Sequence, residues 1–102
     1  MESCRWELFR YSLPLKEPLR MLGQVLNERR GLILRLIEIS RESYTADNFG
    51  EGEIAPLPGL HPESLSQAES QIREYLSANL KPRPHSEALF GSVRFGLDMA
   101  LR

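Results

Sequence analysis

The chain has 102 residues, of which 41% are hydrophobic and 26% are charged, a balance typical of one soluble globular domain. Its 13 basic and 14 acidic residues leave a formal charge of -1, which argues against nucleic-acid binding because phosphate contacts need a clustered basic excess. Cys4 is the only cysteine, so the sequence predicts no intrachain disulfide, zinc cluster or CxxC redox pair. There is no signal-peptide core and no run of about 18 apolar residues, so we expect a cytoplasmic protein without membrane contact.

The N-terminal third predicts one strand and one long loop. Residues 5–13 are predicted to form a β-strand, with Trp6 and Leu8 on one face and Phe9 on the other. Two prolines then end regular pairing. Residues 16–30, which a glycine interrupts, are predicted to form a long loop with at most a helical turn.

Two further strands complete a predicted sheet. The run GLILRLIEI, residues 31–39, is apolar on both faces, which is typical of a central strand covered on both sides. A polar connection over residues 40–48 leads to a third strand over residues 49–55. Because most connections between these strands are short, the sequence favours a three-stranded antiparallel meander.

A first helix is predicted to begin at about residues 61–63, because Pro62 suits the first helical position and Glu63 the first turn. Its apolar residues recur at helical spacing, and Glu69 and Arg73 form a supporting pair four residues apart. The apolar positions are Leu65, Ala68, Ile72, Tyr75 and Leu76. The run KPRPH, residues 81–85, then breaks the helix.

A second helix is predicted from about Ser86 to the end of the chain, which makes the fold class α+β. Its main apolar stripe is Leu89, Val93, Leu97 and Ala100, whereas Phe90, Phe95, Met99 and Leu101 lie off that stripe. An apolar surface this broad exceeds what one sheet and two helices need. We therefore expect a further layer of protein outside this chain, or self-association through the last helix.

Few residues are candidates for catalysis. Glu51 and Glu53 share one strand face at roughly 7 Å, the arrangement of an acid and base across a glycosidic bond, but a hydrogen-bonded strand face is the favoured alternative. His61 and His85 belong to no metal-ligand spacing, so we expect helix capping by His61 and exposure of His85. Cys4 lacks an activating base nearby in the sequence and is expected to be a small buried or edge residue.

Two segments are candidates for binding. Arg20, Arg29 and Arg30 fall in the predicted long loop, where guanidinium groups could clamp a carboxylate or phosphate; ordinary surface arginines are the alternative. The run APLPGLHP, residues 55–62, could be a polyproline ligand. Because it joins a strand to a helix within a few residues, it fits the rigid apolar wall of a pocket better.

The pocket segment carries a family resemblance. The run GEGEIAPLPGLHPESLSQA, residues 50–68, resembles the strand, loop and helix of the o-succinylbenzoate synthase family in the enolase superfamily. ALFGSVRFGLDMAL, residues 88–101, resembles that family's first barrel-domain helix, and RRGLILRL resembles its second strand. The resemblance implies a capping domain over residues 1–82 and only the first helix of a TIM-type barrel over residues 83–102.

The resemblance also implies a chemistry: a magnesium-dependent lyase that dehydrates a cyclohexadiene carboxylate for menaquinone synthesis. In that family two lysines and the Asp, Glu and Asp ligands of Mg²⁺ come from barrel strands. We therefore expect no catalytic and no metal-binding residue in this chain, and no turnover by the chain alone. Its expected partners are the barrel domain of the same enzyme and a small-molecule carboxylate substrate.

The cap's implied contribution is two loops that close over the substrate. The first set of substrate-binding candidates is Leu57, Pro58, Gly59 and Leu60, and the second is Arg20, Met21 and Leu22. Two alternatives remain open. One is the cap of a related epimerase or cycloisomerase, and the other is a standalone protein-interaction module.

Overall fold

The sheet and helices are arranged as an α+β domain, as the sequence predicts. The computed structural model describes residues 3–21, 23–39, 48–79, 81–86 and 88–102. Strands β1 (Ser3–Met21), β2 (Gln24–Ile39) and β3 (Asn48–Ile54) form an antiparallel sheet in that order, and helices α1 (Leu65–Ala78) and α2 (Gly91–Ala100) follow. The meander is thus confirmed, and the connection predicted over residues 40–48 lies outside the described residues except for Asn48, which begins β3.

The long loop predicted over residues 16–30 is wrong. These residues continue β1 and β2 as a hairpin in which Leu19 pairs with Leu26. The pairing register shifts between Pro14 and Leu19, so the prolines lie at an irregularity of an edge strand, where a missing N–H removes no essential ladder bond.

The far half of the hairpin has only two strands. Strand β3 ends at Ile54, which pairs with Leu32, so among the described residues no third strand accompanies the part nearer the tip. We call this part, residues 13–21 and 24–30, the ribbon. At its tip Gly23 takes a φ of 78°, a conformation that glycine adopts without steric cost.

The core lies between one face of β2 and the two helices. Leu32, Leu34 and Leu36 project from this face and are almost fully buried. The opposite face carries no helix within the described ranges; there the Arg35 guanidinium lies over the rings of Phe9 and Phe49, 5.5 and 5.2 Å from their centroids. The strand is central, as predicted, but its second face is covered by its neighbours' side chains.

Helix α2 approaches β3 to backbone contact. A Cβ added to Gly50 would overlap the carbonyl oxygen of Ala100, and one added to Gly52 would overlap that of Gly96. The glycines of the G-x-G run are therefore packing residues that let a helix lie against an edge strand.

Helix α1 begins later than predicted. Ser64 is its N-cap and forms a capping box with Gln67: the Ser64 hydroxyl accepts from the Gln67 N–H at 3.1 Å, and the Gln67 side chain accepts from the Ser64 N–H at 2.8 Å. The predicted start at residues 61–63 and the capping role of His61 are wrong. Of the predicted apolar stripe, Ala68, Ile72 and Leu76 are buried, and Leu65 and Tyr75 are partly buried against the core.

Helix α2 also begins later, at Gly91 instead of Ser86. Its N-terminal turn is bound by Glu63, whose buried carboxylate accepts from the Ser92 hydroxyl at 2.6 Å and from the Ser92 N–H at 3.2 Å. Burial by itself would raise the pKa of Glu63, but these hydrogen bonds hold that pKa below its usual value. Glu63 therefore stabilises the start of α2, instead of the first turn of α1 in which the sequence places it.

The apolar surface of α2 is mostly used inside the domain. Val93, Leu97 and Ala100 are buried against the sheet, while Phe95 remains 58% exposed. The further protein layer and self-association stay predictions. Among the described helices, none has the length and apolar character needed to cross a membrane.

Candidate functional site: a cleft between the ribbon and the PLPG segment

The ribbon faces the proline-rich segment across a cleft of about 310 Å³. One wall is formed by residues 55–58, on the stretch that runs from the end of β3 towards α1. We call residues 56–59 of this stretch the PLPG segment, and the wall it forms the PLPG wall. The other wall belongs to the ribbon and combines apolar with charged side chains. The ribbon residues are Leu15, Leu19, Leu26, Glu28, Arg29 and Arg30.

The proline-rich wall ends in a closed turn. The Leu57 carbonyl accepts hydrogen bonds from the N–H groups of Leu60 at 3.1 Å and His61 at 2.9 Å. In return, Nδ1 of His61 accepts from the Leu57 N–H at 2.9 Å. Gly59 takes a φ of 87°, as expected of the residue that permits the bend.

The predicted substrate-binding residues are placed unequally. Leu57 and Pro58 line the cleft. Leu60 is 54% exposed in the same turn and, like Gly59, is not among the lining residues. Arg20 is exposed on the ribbon beyond Leu19, Met21 ends β1, and Leu22 lies outside the described residues.

Three polar side chains interlock beside the cleft. The Tyr11 hydroxyl donates to Glu53 at 2.7 Å, and Arg29 donates to the other carboxylate oxygen of Glu53 at 2.7 Å. The Arg29 guanidinium, and secondarily the Tyr11 hydroxyl, lower the pKa of Glu53, while burial and the bond to Glu53 raise the pKa of Tyr11. The Tyr11 ring lies over Gly31, where an added Cβ would come within 2.5 Å of the phenol oxygen.

The second arginine of the cleft is also paired. Arg30 forms an ion pair with Glu28, and the Ser12 hydroxyl donates to the same carboxylate at 2.8 Å. These two partners, Ser12 first, lower the pKa of Glu28. Any acidic ligand would therefore meet arginines that already have carboxylate partners, which weakens the case for a dedicated anion clamp.

Glu51 and Glu53 form the hydrogen-bonded strand face that was the favoured alternative to a catalytic pair. Glu51 accepts from Arg35 at 3.3 Å, and Glu53 is held by Tyr11 and Arg29. A general acid needs a raised pKa, and that of Glu53 is lowered. These carboxylates thus orient neighbouring strands.

The remaining candidates show ordinary structural roles. Burial raises the pKa of the Cys4 thiol, which packs beside the core and so lacks the character of a nucleophile. His85 is exposed, as predicted, with Nδ1 3.2 Å from Asp98. Within the part of the chain that the structure describes, no group of three or more His, Cys, Asp or Glu side chains could hold a metal ion.

Sequence reasoning missed the ribbon wall and the polar cluster. The alternation of Leu13, Leu15 and Leu19 along β1 is obscured by two prolines and by the register shift between Pro14 and Leu19. The Tyr11, Arg29 and Glu53 cluster joins three strands and has no signature in the local sequence.

The fold is that of the N-terminal capping domain of the enolase superfamily. A crystal structure of o-succinylbenzoate synthase from Thermosynechococcus elongatus, with magnesium in its active site, aligns with a TM-score of 0.58 at 32% identity, over 78% of this chain and 22% of that one. The L-Ala-D/L-Glu epimerase from Bacillus subtilis aligns with a TM-score of 0.75 over 99% of this chain and 30% of that one. Its sequence is 22% identical, so that likeness concerns the fold alone.

The chain belongs to the family described as MenC, N-terminal domain, whose model matches residues 3–102. It is 43% identical to the o-succinylbenzoate synthase of Pectobacterium atrosepticum over 93 residues, which are 91% of this chain and 27% of that protein. It is 37% identical to the enzyme of the same name from Haemophilus influenzae, over 99% of this chain and 30% of that protein. The chain thus spans less than a third of the length of these relatives.

Proposed function

We propose that this chain is the cap of a magnesium-dependent lyase of the o-succinylbenzoate synthase kind, which dehydrates a cyclohexadiene carboxylate in menaquinone synthesis. Its role is to cover the substrate, and its partner is the barrel domain of the same enzyme. The domain assignment is a cap over residues 1–82 and the first barrel-domain helix over residues 83–102. We assign the protein to the cytoplasm.

The observation that carries the proposal is the cleft between the ribbon and the PLPG segment. Leu57 and Pro58 face Leu19 and Leu26 across it, so the two segments expected to close over the substrate lie opposite each other. Leu57, Pro58, Gly59, Leu60, Arg20, Met21 and Leu22 remain the proposed substrate-binding residues. Leu57 and Pro58 have the strongest support because they line the cleft.

The cleft suits a cap better than a reaction centre. Its leucines and prolines can exclude water and orient a ring, and such exclusion strengthens the electrostatic interactions inside a closed site. Its charged side chains are already paired, so they need not take part in proton transfer. A magnesium ion bound on the barrel would stabilise the charge of an enediolate.

The test is an assay of the full-length protein that contains this chain, with Mg²⁺ and the cyclohexadiene carboxylate. Leu57→Ser should raise KM about three- to tenfold with a smaller effect on kcat, because it removes apolar cover from the bound substrate. Leu13→Ser is the matched control, since Leu13 is exposed on the ribbon and does not line the cleft. Equal KM values for the two variants would contradict the assignment of Leu57 to a wall that contacts the substrate.

Three further observations separate the alternatives. Turnover of an epimerase or cycloisomerase substrate in place of dehydration would keep the cap and change the reaction. A stop codon directly after Arg102 would instead favour an interaction module. Turnover by the 102-residue chain alone would contradict the proposal that the cap covers the substrate while the barrel domain carries the catalytic residues.

A further inference from the structure

The imidazole of His61 closes the turn that carries the cleft wall. His61 binds both backbone polar groups of Leu57. Its Nδ1 accepts from the Leu57 N–H at 2.9 Å, and its own N–H donates to the Leu57 carbonyl at 2.9 Å. Leu57 is also one of the residues that line the cleft. The position of this wall residue is therefore tied to one side chain outside the cleft.

In the described part of the chain, the acceptor of the Leu57 N–H is Nδ1 of His61. Without the Nδ1 acceptor, the half-buried Leu57 N–H would lose its partner, and an unpaired buried donor is costly. The turn thus depends on an acceptor at position 61.

We propose that neutral His61 is a positioning residue that fixes Leu57 and Pro58 against the ribbon, and that protonation of its ring releases this wall. The neutral form carries its proton on Nε2 and leaves the Nδ1 lone pair for Leu57. Protonation puts a hydrogen on Nδ1, where it faces the Leu57 N–H, and two donors cannot bond each other. The effect on substrate binding rests on the proposed function; the effect on the turn does not.

Groups of both charge signs lie around His61. Arg29 from β2, Glu53 from β3 and Ser92 from α2 line a second cleft of about 390 Å³ together with His61. Arg29 and Glu53 form an ion pair with each other and so largely cancel. Besides the hydrogen bonds from Ser92, a positive charge on His61 lowers the pKa of the Glu63 carboxylate, so Glu63 is an acidic group that interacts with the ring.

The first test is hydrogen–deuterium exchange of the full-length protein, followed by mass spectrometry of peptides covering residues 56–62. His61→Asn keeps an acceptor at the Nδ1 position, because Oδ1 of asparagine is also bonded to Cγ; His61→Ala removes it. After correction for intrinsic exchange, wild-type protection at the Leu57 amide should fall about tenfold from about pH 8 to about pH 5. His61→Asn should stay protected at both pH values and His61→Ala at neither.

Protection in His61→Ala equal to that of the wild type at pH 8 would overturn the role of the imidazole in the turn. An equal fall with pH in the wild type and in His61→Asn would overturn the release by protonation. Both outcomes are independent of enzyme activity, so they decide this inference even if the proposed reaction is wrong.

The second test is kinetic and separates the two proposals. His61→Ala should raise KM about three- to tenfold with kcat nearly unchanged, and His61→Asn should restore the wild-type KM. Towards about pH 5, KM should rise in the wild type and not in His61→Asn. If exchange changes as expected while KM does not, His61 holds the turn but does not position a substrate wall, whereas an inactive wild-type protein would contradict the proposed function alone.

Discussion

Gly52 of β3 and Gly96 of α2 meet backbone to backbone, and a Cβ on Gly52 would overlap the Gly96 carbonyl oxygen. No flexible side chain lies between them that could move aside. The distance between the sheet and the last helix is therefore set by the absence of a side chain at this point.

Gly52→Ala is expected to lower the free energy of unfolding by about 2–4 kcal/mol, since α2 must move away from the sheet to admit a methyl group. Gly91→Ala is the matched control, because no atom lies within 4 Å of a Cβ added there. This control should leave stability unchanged or raise it by up to about 1 kcal/mol. Urea unfolding measures both, and equal stabilities would contradict the packing described.

Removing the α1 cap should have a smaller effect. Ser64→Ala deletes the hydroxyl that accepts from the Gln67 N–H and should cost about 1 kcal/mol. Ser66→Ala, at the exposed second residue of the same helix, should not destabilise the protein because alanine is the better helix former. Circular dichroism during thermal unfolding would compare them, and a Ser66→Ala loss as large as that of Ser64→Ala would refute the capping role.

The buried carboxylate at the start of α2 provides a third prediction. Glu63→Ala leaves the Ser92 N–H and hydroxyl without their acceptor and should cost about 1–3 kcal/mol. Glu74→Ala, exposed on α1, should change the free energy of unfolding by no more than about 0.5 kcal/mol. Amide exchange of residues 91–94 should accelerate in Glu63→Ala only; acceleration spread evenly over both helices would argue against a local cap.

Acid should weaken the fold partly through Glu53. Its pKa is lowered in the folded protein by Arg29 and Tyr11, so the carboxylate contributes stability that is complete above its ordinary value of 4.5 and is lost as pH falls through the lower folded value. Glu53→Gln should therefore show a shallower loss of stability below about pH 4.5. Because the pKa values of Glu28, Glu63 and Glu69 are lowered too, some slope should remain. Urea unfolding between about pH 3 and pH 7 measures how the free energy of unfolding depends on pH. The same dependence in Glu53→Gln as in the wild type would contradict this prediction.

The strands of the meander could be predicted because their side chains alternate without interruption. Trp6 and Leu8 share a face with the buried leucines of β2, and Phe9 lies on the other, as the alternation indicates. The ribbon could not be predicted in the same way. Pro14 and Pro18 usually end a strand, and only the pairing of an edge strand with a register shift accommodates them.

The helix boundaries show a second limit. The Ser64 and Gln67 pair is a capping box that can be read from the sequence, and it marks the true start of α1 better than Pro62. Glu63 has a carboxylate in a position suited to a first turn, yet it binds Ser92, 29 residues further along the chain. No local sequence pattern predicts a partner this far along the chain. None predicts the hydrogen bond from the Leu57 N–H to His61 across the turn either.

The two walls of the cleft differ in how they are supported. The PLPG wall is joined to β3 and α1 at its ends and closed by its own hydrogen bonds, whereas no third strand of the described chain lies beside the ribbon. A two-stranded hairpin alone is only marginally stable and twists readily, and here it also contains the register shift at Pro14. The width of the cleft therefore depends on how the ribbon bends, whereas none of the buried core residues that the structure describes belongs to the ribbon.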